Sequence, residues 1–120
     1  MKIYLVMGSS GGYSDFAEWP VKAFATEERA TAFAESLPKI WVDLIKPTEA
    51  DKIKATELYE EERQRWIDLR KTEPPHWMQP HTMSVSRMRA HDEMREKHDP
   101  AFCAHSEDAT WDVCEIELED

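Results

Sequence analysis

The segment Gly8-Ser9-Ser10-Gly11-Gly12 matches the G-x-S-x-G pattern of a nucleophilic serine. That chemistry needs a strand, a sharp turn and a helix that hold the serine hydroxyl above a parallel sheet. The residues that follow, 13–20, favour a helix poorly, and a chain of 120 residues is short for a hydrolase fold. The segment also lacks the Gly-Lys-Ser/Thr of a phosphate-binding loop. We interpret residues 8–12 as a flexible hairpin loop and predict no catalytic activity.

Four residues of zinc-binding type lie near the C-terminal end: His98, Cys103, His105 and Cys114. A structural zinc ion needs four such ligands in a tetrahedron, and the spacing here matches no standard finger and contains no Cys-x-x-Cys. His91 and His98 do not form the H-E-x-x-H pattern of zinc proteases either. The alternative is that Cys103 and Cys114 are small core residues. We favour the alternative and predict neither a metal nor a cofactor.

Acidic side chains concentrate after residue 99. Residues 100–120 hold seven acidic and no basic side chains, and the whole chain has a formal net charge of −10. On a β-strand, Glu115, Glu117 and Glu119 would share one face, with about 6.6 Å between successive positions. Such a row could imitate the phosphates of a nucleic acid toward a basic protein surface. The alternative is a solvated face whose charges discourage pairing of an edge strand.

Five tryptophans are many for a chain of this length. We predict that Trp41, Trp66 and Trp111 belong to the core. Trp77 differs, because it lies in the proline-rich segment 74–83 beside a methionine. An exposed aromatic residue in such a setting is typical of an interface anchor, and the alternative is a lid over the core. The predicted partner-binding residues are therefore Asp112, Glu115, Glu117, Glu119 and Trp77.

The overall charge limits the classes of partner. Nucleic acids and anionic membranes bind clusters of Lys and Arg, so an acidic chain favours basic protein partners instead. The apolar run at residues 3–7 is too short for a signal peptide, and no stretch approaches the length of a membrane span. We therefore expect a cytosolic protein with reduced cysteines.

Hydrophobic periodicity and caps predict an α+β fold with a small antiparallel sheet and helices on one face. Thr26 and Thr48 are the predicted N-caps, and Pro38 is expected to end or kink the first helix. Residues 39–46 fit a short helix or a strand, and we favour the helix. The predicted strands cover residues 2–7, 19–25 and 110–118. The predicted helices cover 27–37, 49–72 and 84–98.

These elements predict a single domain, residues 1–120, in which 39–100 form a helical insertion between a β-β-α unit and the last strand. Alternation in the first and last strands predicts which side of the sheet is buried. On this basis Ile3, Leu5 and Met7 share one side, and Cys114, Ile116 and Leu118 point inward. The predicted core consists of Leu5, Phe33, Leu37, Ile116 and Leu118. The long helix is expected to bury Leu58, Tyr59, Trp66 and Leu69.

The N-terminal residues resemble those of small phage and prophage proteins that begin with a β-hairpin followed by a helix. The shared residues are Lys2-Ile3-Tyr4-Leu5-Val6, the loop at 11–15, Ala23–Glu28 with Ala30 and Phe33, and the closing Trp111-Asp112-Val113. The resemblance covers residues 1–37 and the last strand. It implies an origin in a virus or mobile element and implies no reaction.

Together, charge and resemblance predict an interaction protein that binds, and in some settings inhibits, a host protein with a basic, nucleic-acid-binding surface. An anti-defence or anti-CRISPR-like protein is of this class. Two alternatives stay open at this point. One is a small metal- or ligand-binding accessory domain, and the other is a structural component of a virion.

Overall fold

A computed structural model describes residues 1–12, 16–102 and 108–119. Within them, the chain forms a three-stranded antiparallel sheet and three α-helices in the order β-β-α-α-α-β, so the predicted α+β fold is confirmed. The strands are β1 (Lys2–Ser10), β2 (Ala17–Phe24) and β3 (Thr110–Glu117). The helices are α1 (Glu27–Leu44), α2 (Glu49–Arg70) and α3 (Thr82–Lys97).

The chain divides into two compact units. The first unit comprises residues 1–43 and 91–120 and contains the sheet, most of α1 and the end of α3. The second unit comprises residues 44–90 and contains α2 and the start of α3. Residues 91–100, which sequence periodicity assigned to the insertion, thus belong to the unit that holds the sheet.

The helix α1 is longer than predicted. Its N-terminus carries Glu27 and Glu28 in the first turn, and the Thr26 hydroxyl accepts a hydrogen bond from the Arg29 N–H at 3.4 Å. The helix continues through Pro38 and ends at Leu44, so the helical interpretation of residues 39–46 is confirmed over 39–44. Pro38 removes only one backbone donor, and the apolar side chains on both sides of it favour continuing the helix.

The sheet has the order β2-β1-β3, with β1 in the centre and the closing strand β3 on an edge. The pairing of β1 with β3 is regular from Lys2 opposite Glu117 to Ser9 opposite Thr110. The pairing of β1 with β2 shifts register between Val6, which lies opposite Lys22, and Met7, which lies opposite Pro20. Pro20 has no N–H to donate, which suits an edge strand.

The predicted inner side of the sheet is wrong. Val6, Ala30 and Ala34 form the buried cluster between the sheet and α1, together with half-buried neighbours that include Trp111 and Val113. The even-numbered residues of β1 and the odd-numbered residues of β3 therefore face α1. On the other side, Leu5 and Ile116 are half-buried, and Cys114 and Leu118 are exposed.

On α1, the predicted core residues Phe33 and Leu37 do face the sheet or the interior. Leu37 is fully buried and Phe33 is half-buried beside the cluster, with its ring 5.4 Å from that of Phe24. The sheet was misassigned because β1 and β3 carry apolar residues on both sides, so that alternation in one strand fits either side. The helix α1 packs against the side that carries Trp111, a large aromatic residue, and Val113, a β-branched residue.

In the second unit, Leu58 and Leu69 are 48% and 78% exposed, so their predicted burial is wrong. The buried residues of α2 are Asp51 and Ala55. Thr48, a predicted N-cap, forms a capping box with Asp51, in which each side chain accepts a hydrogen bond from the other residue's backbone N–H. Asp51 is thus buried where a polar network satisfies its carboxylate, whereas Thr48, Glu49 and Ala50 are exposed.

Arg89 of α3 completes that network. Its Nε donates to both carboxylate oxygens of Asp51, at 3.0 and 3.1 Å. Its Nη2 donates to the backbone carbonyl oxygens of Leu44 and Lys46, at 2.7 and 3.2 Å. One guanidinium therefore joins the start of α2, the segment before it and α3.

No helix in the described part of the chain has the length and apolar character needed to cross a membrane.

Candidate binding surface

The predicted acidic residues lie on two different sides of the sheet. By register, Glu115 lies opposite Tyr4 and Glu117 opposite Lys2, on the side that faces α1. Asp112 lies opposite Met7 on the other side. Glu119 follows the end of β3 and is exposed. Glu115 and Glu117 thus share one side, as the predicted row requires, and Asp112 adds an acidic group on the other side.

Two of these carboxylates have basic neighbours on the same chain. Lys2 Nζ lies 2.8 Å from Glu115 Oε1, and the N-terminal ammonium lies 3.4 Å from Glu117 Oε1. The hydrogen bond to Glu115, followed by its charge, raises the pKa of Lys2. The Glu115 and Glu117 side chains nevertheless stay 52% and 63% exposed. Solvated pairs of this kind are weak and screened by salt, so both carboxylates remain accessible to a partner.

The net charge of the protein is confined to the first unit. By sequence, residues 1–43 and 91–120 hold 17 acidic and six basic side chains, a net charge of −11. Residues 44–90 hold eight acidic and nine basic side chains, a net charge of +1. An approaching cation therefore experiences the field of the unit that contains the sheet.

Trp77 is 62% exposed and belongs to the second unit. Its ring contacts Trp66 edge to face at a centroid distance of 6.4 Å, and the Arg70 guanidinium lies 4.3 Å from the Trp66 ring. The adjacent Met78 is buried instead, with its N–H bonded to the Pro75 carbonyl. Of the two interpretations of Trp77, the exposed aromatic is the one that agrees with the structure.

A shallow pocket of about 220 Å³ also lies in the second unit, between α2, α3 and the segment before α3. Its lining is mostly apolar and includes Leu58, Tyr59, Val85 and Met88. Leu58 and Met88 are themselves 48% and 69% exposed. The pocket is smaller than the sites that enclose drug-sized ligands.

The serine motif is a loop only at Gly11 and Gly12, and the next described element is the strand β2 rather than the helix that a nucleophile elbow needs. Gly8, Ser9 and Ser10 are the last residues of β1. A Cβ on Gly8 would lie 2.5 Å from the indole of Trp19, so glycine is needed for the close approach of this ring. The Ser9 hydroxyl shares a hydrogen bond of 3.0 Å with that of Thr110 on the neighbouring strand.

The sequence did not reveal the most buried charged group of the first unit's described residues, Asp99. Its carboxylate accepts from Trp19 Nε1 at 3.0 and 2.8 Å and from Trp111 Nε1 at 2.9 Å. In the sequence, Asp99-Pro100 indicates only where the helix predicted for residues 84–98 ends. A buried carboxylate between two indole N–H groups joins β2, β3 and the segment after α3, and it leaves no exposed polar atom for chemistry.

An aromatic cluster continues from that carboxylate. Phe102 is 1% exposed, stacks on Trp111 with a ring separation of 6.0 Å, and contacts Trp41 at 5.2 Å and His91 at 5.1 Å. Trp41 and Trp111 are half-buried in this cluster, so their predicted place in the core is confirmed only in part, and Trp19 is the buried tryptophan at 7% exposure. The cluster accounts for His91 as a packing residue of the first unit.

The zinc candidates lie partly outside the described residues, namely Cys103 and His105. Among the residues that the structure describes, no three His, Cys, Asp or Glu side chains are grouped to hold a metal ion. Cys114 is an exposed thiol, so its predicted place in the core is wrong. The cause is again the side of β3 that turned toward α1.

Comparison of the chain with protein-family models, with curated proteins and with solved structures found no match.

Proposed function

We propose that the protein is an acidic interaction protein of a phage or mobile element, which binds a basic, nucleic-acid-binding surface of a host protein and blocks it. The single observation that carries the proposal is the confinement of the net charge of −11 to the unit that contains β3. A field of one sign over one unit speeds encounter with a basic partner.

Exposed carboxylates on β3 are the proposed contacts with the partner. Glu115, Glu117 and Glu119 would replace phosphates at a basic surface, and Asp112 would contact it from the other side of the strand. Charge alone seldom gives a slow dissociation rate, which depends on desolvated apolar anchors. We propose Trp77, whose exposed ring is held against Trp66, as such an anchor that the second unit offers to the partner by itself.

The test begins with capture of partners from a bacterial lysate at low and high salt. A captured nucleic-acid-binding protein is then used in association measurements with the variant Glu115→Gln, Glu117→Gln, Glu119→Gln. We expect association at least about tenfold slower at low salt, with a flatter dependence on ionic strength, because the steering charge is reduced. Trp77→Ala should mainly accelerate dissociation.

A matched control places the same charge change in the second unit. Glu57, Glu60 and Glu61 are exposed on α2, and their replacement by Gln also removes three negative charges. If both triple variants slow association equally, the effect comes from total charge and not from β3. If the β3 variant associates as fast as the parent at low salt, the proposed contact surface is wrong.

A further inference from the structure

The side of the sheet that faces away from α1, here the outer face, is apolar rather than polar. Each residue of β1 shares its side with the residues paired directly opposite it. Leu5 is opposite Ala23 and Cys114, Met7 is opposite Pro20, and Ile3 is opposite Ile116. The outer face is therefore apolar over most of its length, through Ile3, Leu5, Met7, Pro20, Ala23, Cys114 and Ile116, continued by Met1 and Leu118. Its remaining end is polar and carries Ser9, Glu18, Thr110 and Asp112.

Solvent reaches this face. Cys114, Ala23 and Pro20 are exposed, Met1 is 71% and Leu118 39% exposed, and the remaining members are half-buried. An antiparallel sheet that faces water on one side normally alternates polar residues onto that side. Continuous apolar patches on a sheet of this kind mark an interaction surface.

The charges around the outer face limit what can cover it. In the described strands, Lys2 and Lys22 lie on the α1 side: Lys2 pairs with Glu115, and Lys22 Nζ lies 5.5 Å from the rings of Phe24 and Phe33. Among the residues of the described strands, two charged side chains lie on the outer face, Glu18 opposite Ser9 and Asp112 opposite Met7. Both are acidic, and both lie toward the same end of the sheet, which disfavours an anionic membrane as the occupant.

The relief of the face is self-complementary. On the central strand, Ile3, Leu5 and Met7 form a ridge of large side chains. Beside Leu5 lie the small residues Ala23 on one flank and Cys114 on the other. A second sheet packed about 10 Å away can place its own ridge against a flank, as the inner faces of a β-sandwich interdigitate.

We propose that the outer face binds the outer face of a second copy of this chain, forming a weak, twofold-symmetric dimer with sheet packed on sheet. The strands of the two copies run in opposite directions, so that Glu18 and Asp112 of one copy lie away from those of the other. This contact requires no charge pairing, which fits a face whose described strands carry no basic side chain and whose N-terminal ammonium pairs with Glu117 of the same chain. It is argued from other observations than the proposed function, and the two proposals share Asp112, which lies at the polar end of this face.

The area of the outer face indicates which class of interface the dimer would form. Three strands about 4.8 Å apart, and seven residues rising about 3.4 Å each, span roughly 14 Å by 24 Å. Two such faces bury on the order of 700 Å² or more, which is the class of weak, transient interfaces below about 1,200 Å². Because area does not fix affinity, we set a Kd of about 100 µM as the value that the experiment must detect.

The experiment is sedimentation equilibrium from about 10 µM to about 1 mM, a range that brackets that Kd. The wild-type mass should rise from 14.1 kDa toward twice that value. Cys114→Lys and Leu5→Lys each place an unpaired charge in the contact and should weaken the dimer at least about tenfold. Cys114 is exposed, so its variant should fold even where Leu5→Lys does not, and circular dichroism verifies this.

Val42→Lys is the matched control, because Val42 is 54% exposed on α1 and the charge change is the same. It should dimerise as the wild type does. A wild type that stays monomeric up to about 1 mM overturns the proposal, since that concentration is about tenfold above the Kd that the experiment must detect. So does a dimer that Cys114→Lys leaves unchanged. A monomer that captures a different protein, and loses it in Cys114→Lys, would assign the face to that protein instead.

Discussion

At the scale of single residues, Asp99 connects parts of the first unit that are distant in sequence. Its carboxylate holds the indoles of Trp19 and Trp111, and its backbone carbonyl accepts from the Phe102 N–H at 2.9 Å. Hydrogen bonds to a charged acceptor are stronger than those between neutral groups. A buried carboxylate is costly without such donors, so the three side chains depend on one another.

Asp99→Ala should lower the free energy of unfolding by about 2–4 kcal/mol, because it leaves two indole N–H groups without an acceptor. Asp99→Asn keeps one acceptor oxygen and should cost less, about 1–2 kcal/mol. Urea denaturation followed by tryptophan fluorescence measures both. Asp92→Ala is the control, since Asp92 is exposed on α3 and should change stability by no more than about 0.5 kcal/mol. Equal losses for Asp92 and Asp99 would contradict the assigned role.

At the scale of elements, the start of α2 depends on Asp51 and Arg89. Hydrogen bonding from Arg89 lowers the pKa of Asp51 from its ordinary value of 3.8 to about 2, against the opposing effect of burial, and Thr48 adds to the lowering. In the unfolded chain the carboxyl binds its proton first as the pH falls. The stabilisation is therefore complete above about pH 4 and is lost as the pH falls toward 2.

Asp51→Asn should remove this pH-dependent contribution. The variant should be less stable at pH 7 by about 2 kcal/mol, the equivalent of the pKa difference, and the gap to the parent should close between pH 4 and pH 2. Chemical denaturation at a series of pH values gives both curves. Glu57→Gln, an exposed change in the same helix, serves as the control. A constant difference between the parent and Asp51→Asn over this range would disprove the linkage.

The sheet offers a second test at this scale, because neighbouring residues of β1 face different sides. Val6 is 0% exposed against α1, whereas Leu5 is half-buried on the outer face. Val6→Ala should cost about 2–3 kcal/mol, and Leu5→Ala about 1 kcal/mol although it removes more atoms. The comparison is made by urea denaturation at low micromolar concentration, where the proposed dimer is dissociated. A larger loss for Leu5→Ala would mean that the outer face is the true core.

At the scale of the whole molecule, the first unit carries a strong charge of one sign, and the protein as a whole has a net charge of −10. Repulsion among like charges destabilises a compact state, and salt screens it. The proposed dimer would double the number of β3 strands offered to a basic partner, which raises avidity without new contacts. Low affinity between copies would then make partner binding sensitive to concentration.

Raising NaCl from about 20 mM to about 500 mM at pH 7 should increase the Tm by about 3 °C, equivalent to roughly 0.5–1 kcal/mol. Near the sequence pI of about 4.9 the net charge is close to zero, and the same addition of salt should change the Tm little. Differential scanning calorimetry at both pH values makes the comparison. A fall in the Tm with salt at pH 7 would show that favourable ion pairs outweigh the repulsion.

The sequence by itself determined the kinds of element and their order. Local signals specified α2 and β3 to within a few residues: Thr48 with Asp51, the run of helix formers after Pro47, and the alternation of β3. For α1, the local signals underestimated the length of the helix. The sequence also determined where the charge lies, since charge counts need no coordinates. These properties depend on neighbours along the chain, which is why they can be derived from it.

Only the tertiary structure decided which side of the sheet meets α1. β1 alternates Tyr4 and Val6 with Leu5 and Met7, and both sets are apolar, so that strand periodicity is equally satisfied either way round. The choice depends on contacts with Ala30, Ala34 and Val113 across the chain. The same choice exposed Cys114, separated Asp112 from Glu115 and enclosed Asp99 between two indoles. Each of these outcomes is set by packing between residues remote in sequence, which local patterns do not encode.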